Sequence, residues 1–278
     1  MVGTERIEGR GHEPQEKIRL GGMALVNGVL VHGPRSWACA VRTSDGELKV
    51  ASDYKHLQAS RVRSPLLRGP ARMAEVLAVL PRIRRRLPEA RLPFQRPGIL
   101  AAMVGSAFVV RAVKESSRLS PLARELATGL LSVTPAVLAL RTEGLAAYHG
   151  AEHISIGSYE HDEPRAREHE RCGSHLLGPL LATSALGGAL ATRAPARLRG
   201  PARLAAQLGA LAASTEIFGW MVRHPEHRLA RALARPGHEL QHRFATAEPT
   251  PEQLEVADAA LAACLELERA GDGSSGPR

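Results

Sequence analysis

Apolar and polar positions divide the 278-residue chain into three stretches with different patterns. In the first, Leu20 to His32 and Trp37 to Thr43 are short β-branched and apolar runs bounded by Gly and Pro, which predicts short strands. Ser44 to Glu47 reads as a turn and Leu48 to Ala51 as a return strand. Arg63 to Gly69 reads as a connector, and Ala71 to Leu80 has a helical pattern with Arg82, Arg84, Arg85 and Arg86 close behind. In the second stretch charge nearly vanishes. Gly98 to Val110, Leu126 to Leu140 and Leu176 to Thr192 carry none, and Leu204 to Val222 carries only Glu216. Four helices are expected, over 96–115, 122–141, 175–192 and 202–222, with Pro135 kinking or dividing the second. The third stretch returns to amphipathic helices. The last of these covers Thr250 to Glu268, with Pro251 at its start and Leu254, Ala257, Leu261, Cys264 and Leu265 on one face. Residues 1–17 and 269–278 read as mobile tails.

Spanning a bilayer takes roughly 20 mostly apolar residues. The first two uncharged segments reach that length only if flanking residues such as Arg111 and Arg141 snorkel to the interface. The last two are long enough but rich in Ala and Gly, which suits close packing in lipid and an Ala-rich soluble bundle equally. Hydropathy alone leaves both open. Arginines occur in every connection, so loop charge discriminates little, although the 82–86 cluster favours a cytoplasmic N-terminal region.

Composition narrows the partners. Of the 37 basic residues 33 are Arg, and the formal net charge is +9. A GC-rich genome accounts for the Arg, Ala, Gly and Pro bias, and a basic surface also suits anionic lipid. With aromatics at 3%, there is little to stack on bases, and nucleic acid is not an expected partner. Cys39, Cys172 and Cys264 are odd in number and far apart, so the soluble parts are expected in a reducing compartment. Met1 to Arg19 lacks the apolar core of a signal peptide.

Candidate chemistry concentrates in the 142–174 connection and just beyond, where five of the twelve histidines lie between His149 and His175. His149-Gly-Ala-Glu152-His153 has the form His-x-x-Glu-His. On a helix this puts two imidazoles and a carboxylate on one side, the spacing of inverted zinc-peptidase motifs. Zn²⁺ or another divalent transition metal accepts neutral imidazole nitrogen, and a neighbouring glutamate serves as general base. Glu160, His161, His169 and Cys172 are candidates for a further ligand. His238-Glu-Leu-Gln-His242 has the commoner His-Glu-x-x-His form, but no second group of ligands surrounds it and chance explains it. Cys172 reads better as a ligand or buried thiol than as a nucleophile, because no oxyanion-hole element accompanies it. Glu216 within an apolar segment is a functional candidate by default, since a carboxylate is costly in lipid.

Several blocks together resemble the YqhQ-like family, the bacterial domain-of-unknown-function 1385 group, labelled predicted metal-dependent enzymes. They are LGGMALVNGVLVHGP at 20–34, AVRTSDGEL at 40–48, RG at 68–69, YHGAEH at 148–153, HERCGS at 169–174, Glu216 in STEI, and the C-terminal PGHELQ and TAEPTPEQLEVADAAL. Their order is kept over about residues 18–267, and Met23, Asn27 and Ile154 depart from the family pattern.

The resemblance implies a mainly α, multi-span inner-membrane protein without an established reaction. It has about four short apolar helices over 98–222, a small β-containing region over 18–97, and C-terminal soluble helices over 223–268. The expectation is therefore a Zn²⁺-type hydrolase facing the cytoplasm, with both termini and the 142–174 connection on that side. His149 and His153 serve as ligands, His169 or Cys172 as the third, and Glu152 as general base. A non-catalytic membrane scaffold or assembly factor is the alternative, with lipid and a membrane-protein partner at the basic surface.

Overall fold

The structure is a computed structural model that describes residues 17–141 and 144–273. The tails expected at the two ends therefore fall largely outside the described residues. The final helix, however, runs to Gly273, into the stretch expected to be unstructured.

Four strands, β1 (Gly21–Leu25), β2 (Gly28–His32), β3 (Ser36–Arg42) and β4 (Leu48–Tyr54), form an antiparallel meander in sequence order. The Val26-Asn27 turn sets its first register, pairing Leu25 with Gly28. Asn27 holds that turn to the chain beyond the sheet, donating to the Arg42 and Glu89 carbonyls (2.9 and 3.1 Å) and accepting from the Arg91 amide (2.9 Å). The departure at Asn27 thus has a structural use.

Both faces of β2 and β3 are covered, which is why these strands read as continuous apolar runs instead of alternating ones. On one face Leu25, Leu30, Trp37, Cys39 and Val41 meet Val79, Leu80 and Ile83 of α1 (Pro65–Arg86). On the other, Val29, Val31, Ala38 and Ala40 meet α4 (Leu145–His161) and α8 (Pro251–Gly273). The supposed connector at 63–69 is the first turn of α1. Pro65 stands at a helix start, where its missing N–H removes no intrahelical bond, so the proline signal marks a beginning and not a break.

A buried carboxylate ties α8 to the sheet. Glu268, 1% exposed, accepts from the amides of Arg35 and Ser36 (2.8 and 2.6 Å) and from the Ser36 hydroxyl (2.8 Å). At the same sheet edge the Lys55 ammonium, also buried, donates to the Gly33 carbonyl at 2.6 Å and pairs with Glu75 at 3.3 Å.

The apolar middle of the chain forms two helical hairpins, α2 (Pro97–Glu115) with α3 (Pro121–Leu140) and α5 (Leu177–Ala191) with α6 (Arg199–Arg223), α3 packing on α5. Between them comes α4, packed on β1 and α8. After them come α7 (Arg228–Leu240), a π turn (Gln241–Ala245) and α8. Because the sheet, α4 and α8 share one core, each hairpin leaves that core and returns to it. The bundle's outer surface is apolar, with Phe108 70%, Leu130 61%, Leu186 64% and Leu204 64% exposed.

Among the described residues three helical segments, Pro97–Glu115, Leu122–Leu140 and Gly173–Ala191, are long and apolar enough to cross a membrane. The fourth expected span, in α6, is not among them. In α6, Gln207, Ser214, Thr215 and Glu216 interrupt the Ala and Leu run and lower its apolarity. Pro135 does not divide α3, which is continuous through it. Glu216 is ion-paired in a bidentate contact with Arg68 of α1.

Replacing Glu268 leaves buried backbone donors without an acceptor, so Glu268→Ala is expected to cost about 3 kcal/mol of stability. Denaturant unfolding of the detergent-solubilised protein measures it, and a loss under about 0.5 kcal/mol, the range of ordinary surface changes, would refute the role.

Candidate metal centre

Residues 142–174, expected to be a histidine-rich connection, contain a buried helix. Helix α4 begins at Gly144, whose φ of +86° and close approach to the Val26 carbonyl both exclude a side chain. Ala151 and Ile156 fill the core under the sheet, while His149 and His153 turn toward the chain that follows and Glu152 lies against β1. Gly22 of β1 makes room for the Glu152 carboxylate, since a Cβ there would overlap it. That gives the glycine-rich block a definite part in the site.

Two backbone carbonyls set the chemistry. His149 Nδ1 lies 2.8 Å from the Ala245 oxygen, and His153 Nδ1 lies 2.6 Å from the Arg167 oxygen. A carbonyl only accepts, so each Nδ1 carries a proton, and in a neutral ring Nε2 is then the atom with the lone pair. The rings are 4.3 Å apart between centroids. Cys172 Sγ stands 3.6 Å from His149 Nε2, and ligand atoms of His149, His153 and Cys172 all lie within 4.8 Å of one another. Zinc bonds to nitrogen and sulfur near 2.0–2.3 Å put tetrahedral ligand atoms about 3.5 Å apart, so this donor set fits a Zn²⁺-type ion after small adjustments. A hydrogen bond from the far nitrogen of each imidazole to a carbonyl is also the usual second layer around such ions.

Burial acts on the protonation states. It lowers the pKa of His153, which a hydrogen bond with Cys172 partly restores, and so favours the neutral imidazole that metals require. Burial raises the pKa of Glu152 above the usual carboxylate range, against the pull of His149 and His169. The Glu152 carboxylate is 3.8 Å from His149 Nε2, beside the donor set but not part of it.

The other expected site residues lie elsewhere. His169 Nε2 faces Glu160 at 3.2 Å and its Nδ1 accepts from the Arg171 amide at 3.3 Å, so neither nitrogen is turned to the group. Its ring instead lies against His153, 5.5 Å between centroids. Burial pushes the Glu160 pKa up, but the hydrogen bond from His169 and the charge of Arg171 outweigh it and hold the group below the usual range. Glu160 is thereby a support for the loop. His161 donates to the Gly157 carbonyl (2.9 Å) at the helix end. His242 pairs with Glu168 at 3.0 Å, and the rings of His238 and His242 stack 6.4 Å apart instead of converging on one point.

One positioning residue had no sequence signal beyond its place inside PGHELQ. Gln241, fully buried, accepts from the His169 amide (2.8 Å) and donates to the His169 carbonyl (3.2 Å) and the Ser174 hydroxyl (2.7 Å). It clamps both ends of the loop that presents Cys172. In metal-free protein Gln241→Ala is expected to cost about 2 kcal/mol and to speed maleimide labelling of Cys172. Cys39, whose thiol burial pushes up to about 12, is the unreactive internal reference. An unchanged Cys172 rate would show that Gln241 does not hold the loop.

The family described as Protein of unknown function (DUF1385) matches residues 136–267, which takes in α4, the ligand group, the second hairpin and most of α8. The blocks at 20–48 lie outside that match. No curated protein and no solved structure matches the chain. That match, over slightly less than half of the chain, supports assignment to the DUF1385 family, whose function is unknown.

Proposed function

We propose that this is a membrane-embedded metalloprotein whose centre, on the side of the sheet, works as a Zn²⁺-dependent hydrolase. The observation that carries the reading is the pair of imidazoles with both Nδ1 atoms committed to backbone carbonyls and ligand atoms of both within 4.8 Å of one thiol. Three protein ligands match catalytic zinc sites, whereas structural sites usually have four. His149, His153 and Cys172 hold the ion, which supplies Lewis acidity when bound. Glu152, held by burial with a raised affinity for protons, takes up the proton of an attacking water and returns it to the leaving group. A metal clip without catalysis, consistent with a scaffold or assembly role, is the second reading. It is favoured by the burial of the centre, where His153 is 1% exposed and segments around 149, 172 and 245 are drawn together.

The membrane part of the proposal rests on the apolar outer surface of the hairpins, because burying each Leu or Phe is worth roughly 1.5–3 kcal/mol. Since the chain returns to its core after each hairpin, α6 crosses together with α5, its Glu216 neutralised by Arg68. The basic end of α1 and the free cysteines support a cytoplasmic side for the sheet and the centre, in a bacterial inner membrane.

Elemental analysis tests the ligands. Wild type and Glu152→Gln are expected to hold about one equivalent of zinc, and Cys172→Ser less than a tenth of that. Wild type below a tenth of an equivalent after reconstitution would defeat both readings. Glu152→Gln then separates them, since under the hydrolase reading it fails to complement a deletion strain and under the clip reading it complements fully.

Single cysteines placed at Arg118, Asp162 and Arg197 in a cysteine-free background report sidedness in intact cells. Positions 118 and 197 are expected to label with an impermeant maleimide and position 162 only after permeabilisation. Labelling of 118 and 197 from opposite sides would mean that α5 does not carry the chain across.

A further inference from the structure

The two hairpins close, at the end remote from the metal centre, around a cavity of about 120 Å³. Leu177 to Thr192 of α5 separates the two ends, a rise of about 22 Å at 1.5 Å per residue. Lys114, Arg124 and Arg203 line this cavity against the single carboxylate of Glu125, a surplus of two positive charges. Among the described residues none of these three cations has a carboxylate within ion-pair distance.

Arg124 gives Nη2 to the Leu119 carbonyl at 3.0 Å, but its Nε is shielded from solvent and has no partner. Glu125 does not compensate. Its carboxylate is packed against Gly188, where any Cβ would overlap it. Helices α3 and α6 both begin near this cavity, and the positive ends of their backbone dipoles add to the surplus. A buried guanidinium N–H left unpaired is costly, and three cations beside an apolar bundle repel one another unless an anion joins them.

We infer that this cavity binds a phosphate group, held by Arg124, Arg203 and Lys114, as a site separate from the metal centre. Guanidinium forks match phosphate oxygens in pairs, and the volume admits one such group. The group arrives either on an anionic phospholipid or as free phosphate. Leu204 and Leu208 on the outer face of α6 give an acyl chain a place to lie beside the cavity mouth.

Full-length protein in a non-ionic detergent is titrated with short-chain phosphatidylglycerol, with inorganic phosphate and with phosphatidylcholine, read by Tm and by native mass spectrometry. A rise in Tm and a retained mass with phosphatidylglycerol alone assign the site to lipid, and the same response to inorganic phosphate assigns it to the free anion. Arg124→Gln and, separately, the exposed Arg203→Gln are each expected to weaken that binding about tenfold. Zinc content should stay at the wild-type value in both, which keeps this test independent of the metal reading. No preference for phosphatidylglycerol or phosphate over phosphatidylcholine, or binding unchanged in correctly folded Arg203→Gln, overturns the inference.

Discussion

Helices α4 and α8 occupy the same face of one small sheet, although the two hairpins separate the first from the strands and the second from both. That shared apolar face, built on Val29, Val31, Ala38 and Ala40, is the constraint from which the remaining architecture follows. It forces each hairpin to be a closed excursion, and so assigns α6 a return path that its own composition does not advertise. It also draws the α4 motif into an interior where every polar group needs a partner. The Glu268 carboxylate secures the arrangement from the far side by capping the β2–β3 turn.

Within that interior the polar residues of α4 are placed by backbone more than by side chains. The Ala245 and Arg167 carbonyls orient the two imidazoles, and a glycine in β1 clears the space for Glu152. Such a centre keeps its shape as long as three separate segments stay in register. Burial then does two opposed things at once, keeping His153 neutral and making Glu152 harder to ionise. Both directions suit a donor set that receives a cation, whose charge would relieve the carboxylate.

Much of the fold was legible because local signals agreed with tertiary packing. The strand runs at 20–43, the turn at 44–47 and the stripe of the last helix all fell close to their observed places. The start of α1 was misread because Pro65 looks like loop chemistry, although a proline in the first turn costs a helix little. The motif at 149–153 was read on a helix, but the length and burial of that helix were not legible, since Gly and His at buried positions resemble a loop when their partners are unknown. The pairing of His149 with His153 was legible as spacing, while the third member of the group was left open among Glu160, His161, His169 and Cys172. The exclusion of His169 was not legible, because it depends on Glu160 and the Arg171 amide claiming its nitrogens. Gln241 was out of reach for a similar reason, as a buried amide is identified only by the groups it satisfies.

The order in which the chain is made gives the sheet a difficult beginning. Its last strand is complete at Tyr54, and its apolar face waits for α8, which starts at Pro251. At about 5–20 residues per second, the roughly 200 intervening residues take on the order of ten to forty seconds. During that interval a finished meander presents Val29 and Val31 to the surroundings while the apolar hairpins emerge from the ribosome. Until α4 and then α8 arrive, that face stays uncovered, and slowing elongation before residue 251 would lengthen its exposure.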